Sequence, residues 1–331
     1  MSAAIVPALA LTRGEVRALM SAADYLDAVE LGLRALAQGK ATAPPPLGLE
    51  LEGGGFHGKG AVIKLDDRTY VALKFNGNFP GNPAQRGLPT IQGTILLCDG
   101  DTGSLLAIMD SIEVTLRRTA AATALAAKYL ARPTPDTILI CGCGEQAPAQ
   151  LDALLAVLPL RNGLCWDHDG ERAKAFARKY RSKSMTPVQD LASAARQADV
   201  IVTCTTATEP FLTADMVRPG TFVAAVGADN PNKSEIEPAL MAKALVVTDS
   251  TAQCATMGDL HHAIEAGVIA LGDVHAELAE LIGGTKLGRT TEAQITLFDS
   301  TGVAVEDVAS AVQAYKRALA AGARSRIALG V

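Results

Sequence analysis

Residues Thr137 to Ala147 read Thr-Ile-Leu-Ile-Cys-Gly-Cys-Gly-Glu-Gln-Ala, an apolar β-forming run that breaks into a G-x-G-x-x-A turn. Each small residue has a task in such a turn. Gly142 lets the chain reverse tightly, Gly144 offers no side chain to hold an approaching anion off the backbone, and Ala147 lets the following helix pack close. The first turn of that helix then presents unpaired N–H groups and a positive dipole end, the arrangement that cradles a pyrophosphate. About 20 residues further on, such sites carry an acid for the adenosine ribose. Asp167 supplies it, at the end of the short run Gly163-Leu-Cys-Trp166. A carboxylate there accepts both ribose hydroxyls and repels a 2′-phosphate, which favours NAD over NADP. His168 and Arg172 beside it soften that preference, so NADP stays the alternative.

Other chemistries fare less well. The six cysteines, at 98, 141, 143, 165, 204 and 254, form no C-x-x-C pair. They read as buried thiols of a reducing cytoplasm. Cys141 and Cys143 flank a glycine of the phosphate turn, where a metal would compete with the nucleotide. The histidines, at 57, 168, 261, 262 and 275, show no metal-ligand spacing with acids or thiols, so no metal site is expected. A net charge of −5 and a pI near 5.6 give no electrostatic reason for a nucleic-acid or membrane partner. No apolar run nears the roughly 18 residues needed to span a bilayer. The first residues lack the basic n-region of a signal peptide.

These groups need a scaffold, and the pattern supplies two. With 49% hydrophobic but only 4% aromatic residues, the core must be built from Ala, Val, Leu and Ile, which suits α/β layers. Apolar spacing at threes and fours predicts one helix from about Arg13 to Gln38, ending at Pro44-Pro45-Pro46. Strand-like runs follow at Leu47 to Leu51, Ala61 to Leu65, Tyr70 to Phe75, Thr94 to Asp99 and Leu105 to Met109. Turn residues such as Asp66-Asp67 and Asn78 to Pro83 separate them, and the lack of helices between them implies an antiparallel or mixed sheet. An alanine-rich helix from about Glu113 to Leu130 leads into a different style. There, strands at Ile138 to Cys141, Leu164 to Trp166, Val200 to Cys204, Phe222 to Val226 and Leu245 to Thr248 alternate with helices, the signature of a doubly wound parallel sheet. A last helix from about Val305 to Arg324 is free to return to the first domain.

Five ordered blocks then carry a resemblance. Lys74 with Asn78-Phe-Pro-Gly-Asn82, Leu116-Arg-Arg-Thr-Ala-Ala-Ala122, Gly142-Cys-Gly-Glu-Gln146, Gly227-Ala-Asp-Asn-Pro-Asn-Lys-Ser-Glu235 and Phe298-Asp-Ser-Thr-Gly-Val-Ala-Val-Glu-Asp307 resemble the ornithine cyclodeaminase/μ-crystallin family over nearly the whole chain. The resemblance implies an α/β chain in two parts. A discontinuous N-terminal α/β domain, residues 1–115 and 305–331, would bind substrate and form a homodimer by pairing sheets across a two-fold axis. A Rossmann domain, residues 116–304, would bind NAD through Gly142, Gly144, Glu145, Gln146, Asp167, Thr205, Val226 and Ser300. Members include cyclodeaminases, alanine dehydrogenases and ketimine reductases, and the crystallin is also a hormone-binding protein.

Their shared chemistry is hydride transfer at the α-carbon of an amino or imino acid, which needs cations for the substrate carboxylate and a group that moves a proton at nitrogen. Arg118 suits a bidentate grip and Lys74 a point charge. The lesser alternative for Arg118, on its own neighbourhood, is a helix-surface ion pair. Lys74 is the one charge in the apolar run Val71 to Phe75, which favours a pocket over a solvated strand lysine. Asp229 follows a predicted parallel strand, where ligands of doubly wound sheets bind, and the family block makes it the proton-transfer residue. The residues alone leave a turn-forming Asp-Asn-Pro open. One departure stands out: cyclodeaminases of the family complete the carboxylate clamp with an arginine where this chain has Pro44-Pro-Pro-Leu-Gly48. Lys59 or, less readily, His57 is the available replacement. The expectation is therefore an NAD(H)-dependent ketimine reductase or amino-acid dehydrogenase in the cytoplasm. An ornithine cyclodeaminase-type lyase with catalytic NAD, or a dinucleotide-dependent binding protein, is the alternative.

Overall fold

The computed structural model describes residues 7–328, so the reading of residues 1–6 as lacking a signal-peptide n-region lies outside the described residues. The chain forms two compact units, one made of Met1–Arg118 with Val303–Val331 and the other of Thr119–Gly302. Arg118 thus belongs with the first unit, and the chain re-enters that unit at Val303. Among the described residues no helix is long and apolar enough to cross a membrane.

In chain order the first unit contributes β1 (Ala8–Leu11), α1 (Arg13–Leu19), α2 (Ala22–Ala37), β2 (Ala41–Thr42), β3 (Leu47–Leu51), β4 (Gly54–Leu65), β5 (Arg68–Asn78), α3 (Asn82–Arg86), β6 (Ile91–Asp99), β7 (Leu105–Asp110) and the start of α4 (Ser111–Leu130). The expected single helix from Arg13 to Gln38 is two helices. Thr12 with Glu15, and Ser21 with Asp24, each form a capping box, so the second box starts a new helix where apolar spacing alone runs on. The sheet is mixed, in the order β4, β5, β6, β7, β1, with only β1 and β7 parallel in that run. Asp66 and Asp67 close the long β4–β5 hairpin with φ of 49° and 61°, the left-handed pair that a tight two-residue hairpin requires.

The second unit holds β8 (Thr137–Cys141), α5 (Gln146–Val157), β9 (Asn162–Trp166), α6 (Gly170–Lys179), β10 (Met185–Pro187), α7 (Leu191–Gln197), β11 (Val200–Thr203), β12 (Phe222–Ala225), α8 (Pro238–Lys243), β13 (Leu245–Thr248), α9 (Thr251–Met257), α10 (Asp259–Glu265), β14 (Ala276–Glu277), α11 (Leu278–Gly283) and β15 (Thr296–Asp299). Its strands run in the order β10-β9-β8-β11-β12-β15-β13-β14, and every described pairing is parallel. This is the doubly wound sheet of a Rossmann domain, with order reversing between β8 and β11. Ile138 to Cys141, Val200 to Val202 and Phe222 to Ala225 are buried on both faces, as strands covered by helices must be. β15 sits between β12 and β13, a central strand that the sequence pattern does not single out.

The chain then returns to the first unit through α12 (Ala304–Ala320) and β16 (Arg326–Ile327). α12 packs on α2 and on one face of the β4–β5 hairpin. At Gly32 of α2 an added Cβ would lie 2.9 Å from Ala309 Cβ, so the crossing is close enough to demand glycine.

Candidate active site

The strand order reverses between β8 and β11, the kind of point at whose strand carboxyl ends doubly wound sheets form a ligand crevice, and the sequence places a turn there for a reason. Gly142 has φ +97°, and a Cβ on it would meet Cys204 O and Thr205 Cγ2 at 2.8 Å. A side chain therefore fits neither the backbone nor the space. A Cβ on Gly144 would meet nothing within 4 Å, which leaves that peptide bare for an incoming group. Gln146 opens α5 and Glu145 is its N-cap residue without a side-chain cap bond, so the helix N-terminus keeps its dipole directed into the crevice. Asp167 ties the turn to β9: its Oδ2 accepts from Cys143 N at 2.8 Å and its Oδ1 from Asp169 N at 2.9 Å. Bare peptides, a left-handed glycine, a helix start and an acid at the end of the second strand are the donor set and shape that a dinucleotide requires, so the residues fit such a group.

The other expected cofactor residues lie at neighbouring strand ends. Thr205 follows β11, Val226 follows β12 and Ser300 follows β15. Ser300 is 3% exposed and its hydroxyl donates to Asp249 Oδ2 at 3.0 Å. Its side chain is therefore engaged within the domain.

Glu235 was not singled out from the sequence, yet it organises this rim. Fully buried, it accepts from Thr205 N at 2.6 Å, Thr205 Oγ1 at 2.7 Å, Thr203 Oγ1 at 2.6 Å and Gly227 N at 2.9 Å. It thereby joins the loop after β11 to the loop after β12. Burial raises its carboxyl above the usual range, and those hydrogen bonds pull the other way. Behind it, Asp259 Oδ1 accepts from Glu235 N at 2.7 Å and Ile236 N at 3.0 Å. Asp259 is pushed up to about 7, chiefly by burial and then by the Glu235 charge. Asp299 is raised well above the carboxylate range, by burial first and by Asp259 next. The only advance signal was Glu235 lying inside the Gly227-to-Glu235 block.

Asp229 lies on the same β12 loop, with its side chain half exposed. Its Oδ1 is 2.7 Å from Lys233 Nζ, which also donates to Gly227 O at 3.2 Å. The loop therefore holds the carboxylate through a cation four residues on.

In the first unit the structure brings Lys74 and Arg118 together on a pair of acids from α12. Lys74 Nζ is 2.7 Å from Asp307 Oδ2, Arg118 Nε is 2.9 Å from Asp307 Oδ1, and Arg118 Nη1 is 2.8 Å from Glu306 Oε2. All four side chains are buried, Lys74 at 5% and Arg118 at 4% exposure. The strand explains why: Tyr70, Ala72 and Lys74 alternate on the face under α12, while Leu73 and Phe75 turn to the other face and are exposed. The apolar flanks of Lys74 thus do not surround it. Lys59 is its cross-strand partner on β4, on that same helix-covered face. Lys74 falls to about 8 because burial disfavours its charge, with Arg118 and Lys59 adding repulsion and Asp307 opposing both. Burial would raise Asp307, but Arg118 and Lys74 hold it below the usual carboxylate range. Glu306 and Asp307 close the Phe298-to-Asp307 block, which assigns neither of them a role. His57 lies opposite Asn76, two positions along β4 from Lys59.

With this geometry in view, residues 7–322 match the model of the ornithine cyclodeaminase/mu-crystallin family. The chain belongs to that family. It is 38% identical to the alanine dehydrogenase of Archaeoglobus fulgidus over 319 residues, 96% of this chain and 98% of the relative. An archaeal alanine dehydrogenase dimer with bound NAD superposes with a TM-score of 0.93 at 38% identity, over 98% of this chain and 100% of that one. The Δ1-pyrroline-2-carboxylate reductase of Thermococcus litoralis, solved with NADH and L-proline, gives 0.91 at 32% identity over 96% and 99% of the two chains. Family membership thus accounts for both the Rossmann sheet and the ordered blocks.

Proposed function

We propose that this protein is an NAD(H)-dependent oxidoreductase that interconverts an α-imino or 2-oxo acid with its amino acid, as a ketimine reductase or amino-acid dehydrogenase. One observation carries the choice of substrate class. Two cations, Lys74 and Arg118, are buried side by side at 5% and 4% exposure, with Lys59 beside them on the same helix-covered face of the sheet. A substrate carboxylate suits a site built around such cations, whereas an uncharged substrate offers them no counter-charge.

The roles follow from each residue's surroundings. Gly142, Gly144, Glu145, Gln146, Thr205 and Val226 border the crevice for the dinucleotide, and Asp167 is the ribose acceptor that favours NAD. NAD(H), when bound, supplies or accepts the hydride at the α-carbon. Lys74 and Arg118 hold the substrate carboxylate, and Asp307 orients both cations, its Oδ1 accepting from Arg118 Nε and its Oδ2 forming the ion pair with Lys74. Lys59 adds charge where the family's extra arginine is missing. Asp229 moves the proton at nitrogen and stabilises the iminium charge that makes carbon electrophilic.

A homodimer is part of the same proposal. Leu73, Phe75 and Leu96 are 44%, 36% and 36% exposed on the sheet face opposite α12, with Leu47 and Leu49 of β3 exposed as well. A contiguous apolar sheet face of this kind is rarely left to water. A second copy of this chain pairing its sheet there covers it. The deciding test measures NADH and NADPH oxidation by the purified protein across 2-oxo acids with ammonia or methylamine, and across cyclic imino acids. We expect NADH consumption with at least one acid and none with its amide. Proline formation from ornithine with no net change in NADH would replace the proposal with a cyclodeaminase cycle.

A further inference from the structure

Outside the groups assigned so far, α10 carries His261, His262 and Glu265 on little more than one turn. Linear spacing did not mark them, because adjacent histidines rarely share a ligand. Here each ring is fixed by a backbone carbonyl from a different element. His261 Nδ1 is 3.2 Å from Ala255 O of α9, and His262 Nε2 is 2.9 Å from Lys233 O of the β12 loop. A carbonyl only accepts, so both of those nitrogens carry the hydrogen and the neutral rings turn their lone pairs the other way. Those lone pairs converge on one carboxylate: His261 Nε2 is 3.5 Å from Glu265 Oε1, and His262 Nδ1 is 3.9 Å from Glu265 Oε2. The three ligand atoms all lie within 4.8 Å of one another.

We propose that His261, His262 and Glu265 form a binding site for a zinc-class divalent cation. With both rings neutral, the two ring lone pairs and the carboxylate are acceptors that repel one another, and a cation between them relieves that repulsion. The spacing suits a metal ion. Tetrahedral zinc with ligands at about 2.1 Å needs ligand-to-ligand edges of about 3.4 Å, which the 3.5 and 3.9 Å from the two rings to the carboxylate approach and a small side-chain adjustment completes. Two imidazoles and one carboxylate are zinc's borderline donor set rather than the all-oxygen set of calcium or magnesium, and a fourth position remains for water. The two carbonyls do for these rings what outer partners do in metal sites, fixing tautomer and orientation. Glu265 is exposed, which provides the entry path. The carbonyl that orients His262 belongs to Lys233, whose ammonium holds Asp229 and Gly227 O, so a bound ion would stiffen that loop. The site itself stands independently of the reaction proposed above.

The test uses the full-length protein, stripped with a chelator, gel-filtered and titrated with cobalt(II). We expect one cobalt per chain, with the intense ligand-field absorption of a tetrahedral nitrogen and oxygen site, displaced by zinc. Loss of an outer partner already weakens metal binding by roughly 10 to 100-fold, so Glu265→Gln, His261→Gln and His262→Gln should each weaken it by more than tenfold. Glu265→Gln alters an exposed side chain, which keeps the test valid if a histidine variant misfolds. Three results overturn the proposal: no cobalt bound, which reduces the cluster to an ion pair; affinity unchanged in Glu265→Gln; or a sulfur-to-cobalt charge-transfer band, which moves the ion to the cysteines.

Discussion

Replacing Glu235 tests whether one buried carboxylate sets the shape of the dinucleotide crevice. Its two oxygens receive four donors, and two of these, Thr205 N and Gly227 N, are backbone N–H groups with no freedom to turn elsewhere. The threonine hydroxyls can rotate. In Glu235→Gln the amide oxygen keeps one pair of donors, but the amide nitrogen then faces the other pair. If it replaces Oε2, Thr203 Oγ1 rotates to accept and Gly227 N–H is left facing a donor. One orphaned buried N–H costs about 1–3 kcal/mol. In Glu235→Ala both N–H groups are orphaned, about 2–6 kcal/mol before any cavity term. Removal of a buried charge offsets part of either loss, so the glutamine variant should sit at the low end of its range. The substitution also releases the loops after β11 and β12 from one another. If about 1.4 kcal/mol of that strain falls on nucleotide binding, affinity drops about tenfold. The assay is a urea midpoint for each variant, paired with NADH binding followed by fluorescence. The order expected is wild type, then Gln, then Ala in both readouts. A glutamine variant with wild-type midpoint and wild-type NADH affinity would refute the reasoning, because an unpaired N–H at Gly227 or, with the amide turned over, at Thr205 cannot be silent.

Other outcomes follow from the same geometry. Lys74 titrates near 8 in the folded chain, so kcat/KM for an acid substrate should fall as pH rises through about 8, as the ammonium is lost. The fold itself gains stability as pH rises from about 8 to the ordinary lysine value of 10.5, since the folded state has already released that proton, and Lys74→Arg should carry the falling limb upward; a limb that does not move removes Lys74 from carboxylate binding. Asp167→Ala should weaken NADH binding and relax discrimination against NADPH, and a wild-type protein that prefers NADPH tenfold would overturn the ribose role. Asp229→Asn should lower turnover by roughly 100-fold or more while NADH affinity stays nearly intact. Full activity with an unchanged pH profile would return Asp229 to a turn residue held by Lys233.

What could be read in advance and what could not divide along a physical line. Local patterns with their own mechanism were legible: the glycine turn after Ile138 to Cys141, Asp167 at the next strand end, the Asp66-Asp67 hairpin and the alternation of strands and helices in the second unit. Both capping boxes, Thr12 with Glu15 and Ser21 with Asp24, were equally local and would have split the first helix, but amphipathic spacing across Met20 outweighed them. β15 was hidden for a different reason. Thr296–Asp299 is a four-residue strand with no helix directly before it, and only its place between β12 and β13 shows that it is central. The acids were the hardest to see. Glu235, Asp259, Asp299 and Asp307 look like solvated charges in a chain that is 20% charged, because the groups that bury and bond them come from elsewhere in the fold. Asp307 is met by Lys74 from β5 and Arg118 from α4, more than 180 residues away along the chain. A carboxylate needs that many partners to stay buried, and assembling them uses the discontinuous domain: α12 must return to the β4–β5 hairpin to bring Asp307 to both cations. The return of the last helix is therefore more than a closing element of the fold, since the same helix that covers the proposed carboxylate-binding cations brings the acids that pair with them.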